Sequence, residues 1–81
     1  MLQRGTVGEA VVVLQHQLAQ LLRLPIREDG LFGPQTQAAV KAFQQLSGLP
    51  ISGVVDNETA ATLTKLSGFG QGLLSLPREE P

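Results

Sequence analysis

The chain has no cysteine, no tryptophan and no tyrosine in its 81 residues, and only one histidine. Without cysteine, neither a disulfide framework nor a thiolate metal site is available, so helix packing alone must hold the domain together. A chain of this length makes one domain at most, with a thin core that removes roughly 60–65% of the unfolded surface from water. Charged residues are scarce at 16%, and the formal net charge is −1, so phosphate-rich partners feel no general attraction. No apolar run approaches the roughly 18 residues that a membrane span requires. Met1-Leu2-Gln3-Arg4 leads straight into the first turn without the features of a signal peptide, which leaves a cytoplasmic location open on the residues alone.

The pattern that is present is helical. Thr6-Val7-Gly8-Glu9 has the spacing of a capping box, and the first helix is expected to run from there to about Arg23. Val7, Val11, Leu14, Leu18, Leu21 and Leu22 form its expected buried stripe, with Val12 and Val13 beside it. Leu24-Pro25 ends it, because the residue before proline is pushed out of the α region. A loop over 26–33 follows, with a short strand-like contact conceivable at Ile26. Asp29-Gly30 is a turn pair, and Pro34 suits a first helical position. The second helix is expected over 34–46 with Thr36, Ala39, Val40 and Phe43 on one face and Phe32 folding onto its first turn; Gly48 closes it. Leu49, Ile51 and Val55 tie the next loop to the core, and Asp56 is a good N-cap for a third helix over 57–66 whose Thr59, Leu63 and Leu66 face inward. Gly30, Thr36 and Val40 recur as Gly53, Thr59 and Leu63, so a glycine turn feeding a helix is used repeatedly. The expected architecture is all-α: a small three-helix bundle with glycine-rich interhelical turns, spanning 1–67. Residues 68–81, broken by Gly70, Gly72 and Pro77, read as a tail or linker whose Leu73, Leu74 and Leu76 offer an alternative docking segment.

Catalytic chemistry is poorly supplied. His16, the lone histidine, lies away from the Leu14–Leu18 stripe and reads as a surface residue. No zinc spacing exists, the serines lie in turns or the tail with no base near them, and Asp29 and Asp56 have structural duties in a turn and a cap. A carboxylate pair for glycoside hydrolysis would also need a cleft that so small a bundle lacks. The chain is therefore expected to be nonenzymatic, with no metal and no cofactor. A helix-turn-helix DNA reader would fit three short helices and many glutamines, but the second helix carries only Lys41 and the basic footprint is missing.

Several spaced elements then point to one family. Gly5 and Gly8 stand as a leading G-x-x-G; Val11, Leu14, Gln15 and Leu18 as V-x-x-L-Q-x-x-L; Asp29 to Gln44 as D-G-x-F-G-x-x-T-x-x-A-V-x-x-F-Q; then Gly48-Leu49, and Gly53, Val55, Thr59 and Leu63. In this order they resemble the bacterial peptidoglycan-binding domains, the three-helix modules attached to many cell-wall hydrolases. The chain departs from that pattern at Leu22-Arg23-Leu24, where the family commonly has Leu-Gly-Tyr, at Ser52-Gly53 in place of Asp-Gly, and at Ala60 in place of an aromatic residue.

The resemblance implies noncatalytic binding of peptidoglycan, through glycan or stem peptide, by a monomer in the cell envelope or outside the cell that targets a fused or associated wall hydrolase. It implies neither a nucleic-acid nor a membrane partner. An alternative is a protein-interaction module on the same fold. For wall binding, the expected contact surface is the loop over 27–33 with the start of the second helix: Arg27, Asp29, Gly30, Leu31, Phe32, Gln35 and Gln37, joined by Asn57. Gln44 and Gln45 are read as further exposed amides, and the glycine-rich loop offers backbone donors to a ligand carboxylate. Lacking Trp and Tyr, the chain has few platforms for sugar rings, which lends weight to recognition of the stem peptide or to a fold retained without wall binding.

Overall fold

Three helices carry the chain in the order α1 (Glu9–Leu22), α2 (Pro34–Ser47) and α3 (Asn57–Leu66). The computed structural model describes residues 1–66. Gly68 and the tail segment therefore lie outside the described residues. Helix α1 packs against both α2 and α3. Among the described residues there is no strand, only two isolated antiparallel bridges, Leu2 with Val55 and Val7 with Leu31.

The core is built from the expected stripes. Val11, Leu14 and Leu18 of α1 meet Ala39, Val40 and Phe43 of α2, Leu63 of α3, and the loop residues Ile26, Phe32 and Val55. Phe32 is fully buried, which places it in the core. Ile26 is buried as well, but the bridges form elsewhere, and the Ile26 amide donates only to the nearby Leu24 carbonyl.

The N-terminal segment explains two departures from the helical reading. The Gly5 amide donates to the Phe32 carbonyl, the Phe32 amide to the Thr6 carbonyl, and the Gly8 amide to the Gly30 carbonyl, each at 2.9–3.0 Å. These bonds hold the segment extended against the first glycine loop, so α1 starts only at Glu9 with Gly8 as its N-cap. The capping box is not formed. Thr6 Oγ1 instead accepts from the Gln3 amide at 3.2 Å, closing a local turn. Val7 falls before the helix and is 72% exposed, so it is not part of the stripe. Gly30 (φ +78°) is tightly placed here: a Cβ on it would sit 3.2 Å from the Gly8 carbonyl oxygen and from Val12 Cγ2.

The helix ends follow the physics of orphan carbonyls. Arg23 closes α1 in the left-handed region (φ 57°, ψ 41°), and its amide donates to the Ala19 carbonyl. This is the position where the pattern the sequence resembles has glycine, the residue that reaches that region without a Cβ penalty. Gly48 closes α2 in the same way, with the Leu49 amide on the Gln44 carbonyl at 2.8 Å. Asp56 caps α3 as expected, its Oδ1 accepting from the Thr59 amide at 2.9 Å. That bond, first among its contacts, holds the Asp56 carboxyl below its ordinary value. Besides Val7, two more apolar residues expected inside are outside: Leu66 ends α3 half exposed, and Ile51 lies exposed in the second loop.

Candidate functional site

Two buried glutamines organise both interhelical loops. Gln15 of α1 is 1% exposed. Its Oε1 accepts from the Gly30 amide at 3.0 Å. Its Nε2 is shared among Thr36 Oγ1 at 2.9 Å, the Leu31 carbonyl at 3.0 Å and Asp29 Oδ1 at 3.1 Å. Gln44 of α2 repeats the arrangement one loop later. Its Oε1 accepts from the amides of Gly53 and Ser52 at 3.0 and 3.1 Å. Its Nε2 reaches the Val54 carbonyl, Thr59 Oγ1 and Ser52 Oγ at 3.0–3.3 Å. Each glutamine thus clamps a glycine loop and the threonine that opens the following helix. This is the physical content of the Gly30–Thr36 and Gly53–Thr59 repeat. Gln44 is fully buried, which corrects its reading as an exposed amide.

The first clamp underlies an open groove of about 720 Å³. It is lined by the buried Gln15 and Thr36 and by Pro25, Ile26, Arg27, Asp29, Leu31, Gly33, Pro34 and Gln35. Gln35 Oε1 accepts from the Arg27 amide at 3.2 Å, tying the loop to the first turn of α2. Asp29 Oδ1 accepts from the Leu31 amide at 3.0 Å, an Asx turn, in addition to the Gln15 bond. The Leu31 amide, then the Gln15 amide, holds the Asp29 carboxyl below its ordinary value, so it is anionic at neutral pH. The Arg27 side chain is 80% exposed, and its Nη1 stands 4.0 Å from Asp29 Oδ2. A smaller apolar channel of about 270 Å³ adjoins the groove, sharing Pro25, Ile26 and Gln35 and extended by Leu24 and the alanines Ala38, Ala39 and Ala42.

Of the residues expected to contact a ligand, Arg27, Asp29, Leu31 and Gln35 line this groove. Gly30 and Phe32 lie buried beneath it and shape the loop. Gln37 points to a different neighbourhood, its Oε1 3.4 Å from Arg4 Nη1 and its side chain against Gly53. Asn57 is exposed at the start of α3 and does not line the groove. His16 is half exposed, as expected, and its Nδ1 lies 3.2 Å from Glu28 Oε2 on the outer face of the loop, a pairing that sequence spacing did not suggest. Among the described residues no group of three His, Asp or Glu side chains is arranged to hold a metal ion. No described helix is long and apolar enough to cross a membrane.

A three-helix bundle with clamped glycine loops and a shallow groove that mixes apolar and polar side chains defines a small binding module. Residues 7–63 match the family described as "Putative peptidoglycan binding domain". The chain belongs to this family. It is 35% identical over 68 residues to the spore cortex-lytic enzyme of Bacillus cereus, a match covering 84% of this chain and 26% of that protein. The chain therefore spans about a quarter of the length of that relative. The crystal structure of the SleB N-terminal domain superposes with a TM-score of 0.78 at 36% identity, covering 82% of this chain and 90% of that one. An L,D-transpeptidase from Xylanimonas cellulosilytica superposes with a TM-score of 0.73 at 41% identity, covering 79% of this chain and 31% of that one.

Proposed function

We propose that the chain is a noncatalytic module that binds peptidoglycan and holds a wall-active enzyme, fused or associated, on its polymer in the cell envelope or outside the cell. Residues 1–67 form the module as a monomer, and 68–81 form a tail or linker. The observation that carries this reading is the family match across residues 7–63, combined with a groove into which the loop and α2 bring Arg27, Asp29, Leu31 and Gln35. The two relatives with enzyme names cover this chain with only part of their own length, which supports a division between a binding part and a catalytic part.

The groove supplies recognition groups and no reacting pair. Arg27 offers a guanidinium fork to a carboxylate, Asp29 an anion, and Gln35 an amide NH₂ to a carbonyl. A site this shallow gives weak single-site affinity, and that suffices, because tethering raises the effective concentration of an attached enzyme at its substrate. The test is cosedimentation of the chain with purified peptidoglycan sacculi at low salt, with chitin and cellulose as controls. Retention on sacculi alone supports the reading, and failure to be retained overturns it.

A further inference from the structure

We propose that the groove selects a zwitterionic amino-acid centre, an ammonium and a carboxylate on one carbon, at a free end of the wall peptide in preference to the glycan strand. This deepens the peptidoglycan reading and rests on it.

Arg27 and Asp29 are the charged residues that line the groove, and they have opposite signs. Their separation of 4.0 Å from Nη1 to Oδ2 is too long for a close hydrogen bond, so each keeps bonding capacity for a ligand. The two oxygens of Asp29 divide their work. Oδ1 accepts from both the Leu31 amide and Gln15 Nε2. Oδ2 meets only the Arg27 guanidinium, leaving it open to an ammonium. Arg27 is mostly exposed, so its fork can take a carboxylate on both nitrogens. A ligand with one charge would satisfy one of these groups and desolvate the other without a partner, which costs affinity. A ligand with both charges a few ångströms apart satisfies both.

The surroundings fit a peptide better than a sugar. The adjoining channel is walled by Leu24, Pro25, Ile26 and three alanines, which suits methyl-sized side chains. Both phenylalanines among the described residues, Phe32 and Phe43, are buried, so neither offers a ring face to a pyranose.

The experiment is amide chemical-shift titration of the 81-residue chain with three probes: L-alanyl-γ-D-glutamyl-meso-diaminopimelate, the same tripeptide ending in L-lysine, and chitotetraose. The diaminopimelate side chain ends in an ammonium and a carboxylate on one carbon, and the lysine side chain ends in an ammonium alone. The expected result is saturable shifts in residues 25–36 with the diaminopimelate peptide, binding about tenfold tighter than the lysine peptide, as loss of a charge-assisted bond predicts. Asp29→Asn should weaken that binding about tenfold, yet lower the thermal midpoint only slightly, because the asparagine carbonyl still accepts from Leu31 and Gln15. Equal affinity for the two peptides, indifference to Asp29→Asn, or a stronger response to chitotetraose would overturn the assignment. Retention on sacculi without any tripeptide response would remove this assignment and leave wall binding standing. Loss of both would remove both.

Discussion

Replacing Gln44 with leucine should be among the most damaging single changes in the domain, although the two side chains have similar volume. The side chain is fully buried, and it bonds the Ser52 and Gly53 amides, the Val54 carbonyl, and the Ser52 and Thr59 hydroxyls. Some of these groups have other recourse: the Val54 carbonyl also accepts from the Asp56 amide at 3.2 Å, and Ser52 is exposed to water. The Gly53 amide and the Thr59 hydroxyl are buried and would lose this partner. At about 1–3 kcal/mol for each of these two buried groups left unpaired, less about 1 kcal/mol regained from the more apolar side chain, the loss is roughly 1–5 kcal/mol. A domain of this length has only about 4–12 kcal/mol in total. Thermal unfolding followed by far-UV circular dichroism should therefore show a midpoint lower by at least about 4 °C, at about 4–8 °C per kcal/mol. A decrease below about 4 °C, equivalent to less than about 1 kcal/mol, would refute the claim that this clamp holds the second loop.

Gln15→Leu should destabilise to a similar degree and also weaken retention on sacculi, because Gln15 positions Asp29 and underlies the groove; Gln44→Leu, compared at a temperature where both variants are folded, should retain wall binding. Arg23→Gly should raise stability by about 0.5–1 kcal/mol, since it relieves a left-handed backbone at φ 57°; an unchanged or lower urea midpoint would contradict this. Asp29 and Asp56 both have carboxyls held below their ordinary values by hydrogen bonds to the folded backbone. The folded state therefore binds fewer protons than the unfolded chain in this range. Their contribution is fully present above the unfolded value of about 4 and is lost as pH falls through the lower folded values. Urea midpoints should hold from neutral pH down to about 5 and decline in more acid solution, and Asp56→Asn, which keeps a capping oxygen, should flatten that decline.

Much of the fold was legible because short-range rules decide it. The Asp56 cap, the Gly48 terminus and the stripe of Val11, Leu14, Leu18, Val40 and Phe43 depend on residue type and helical spacing alone, and the structure places them as expected. The errors lie where tertiary bonds override a local rule. Thr6 and Glu9 have capping-box spacing, but the backbone pairing of residues 5–8 with the loop at 30–32 delays the helix. Gln44 looked like a solubilising amide because glutamine is usually exposed. Its position four residues after Val40 and beside Phe43, on the buried face and facing a glycine loop, was the available signal. Gln15 carries the same signal four residues after Val11. The groove was legible in part. Arg27, Asp29, Leu31 and Gln35 are close in sequence and share it, whereas no local rule reveals that Gln37 turns toward the second glycine loop.

If the groove between the end of α1 and the start of α2 is the wall-binding face, retention on peptidoglycan sacculi will separate the unaltered chain, Arg27→Ala and Lys65→Ala. Both substitutions remove one exposed positive charge, but only Arg27 lines the groove. Arg27→Ala is expected to lose most retention and Lys65→Ala to keep it. Equal retention of both variants would contradict this placement, and the binding face would have to lie elsewhere on the bundle.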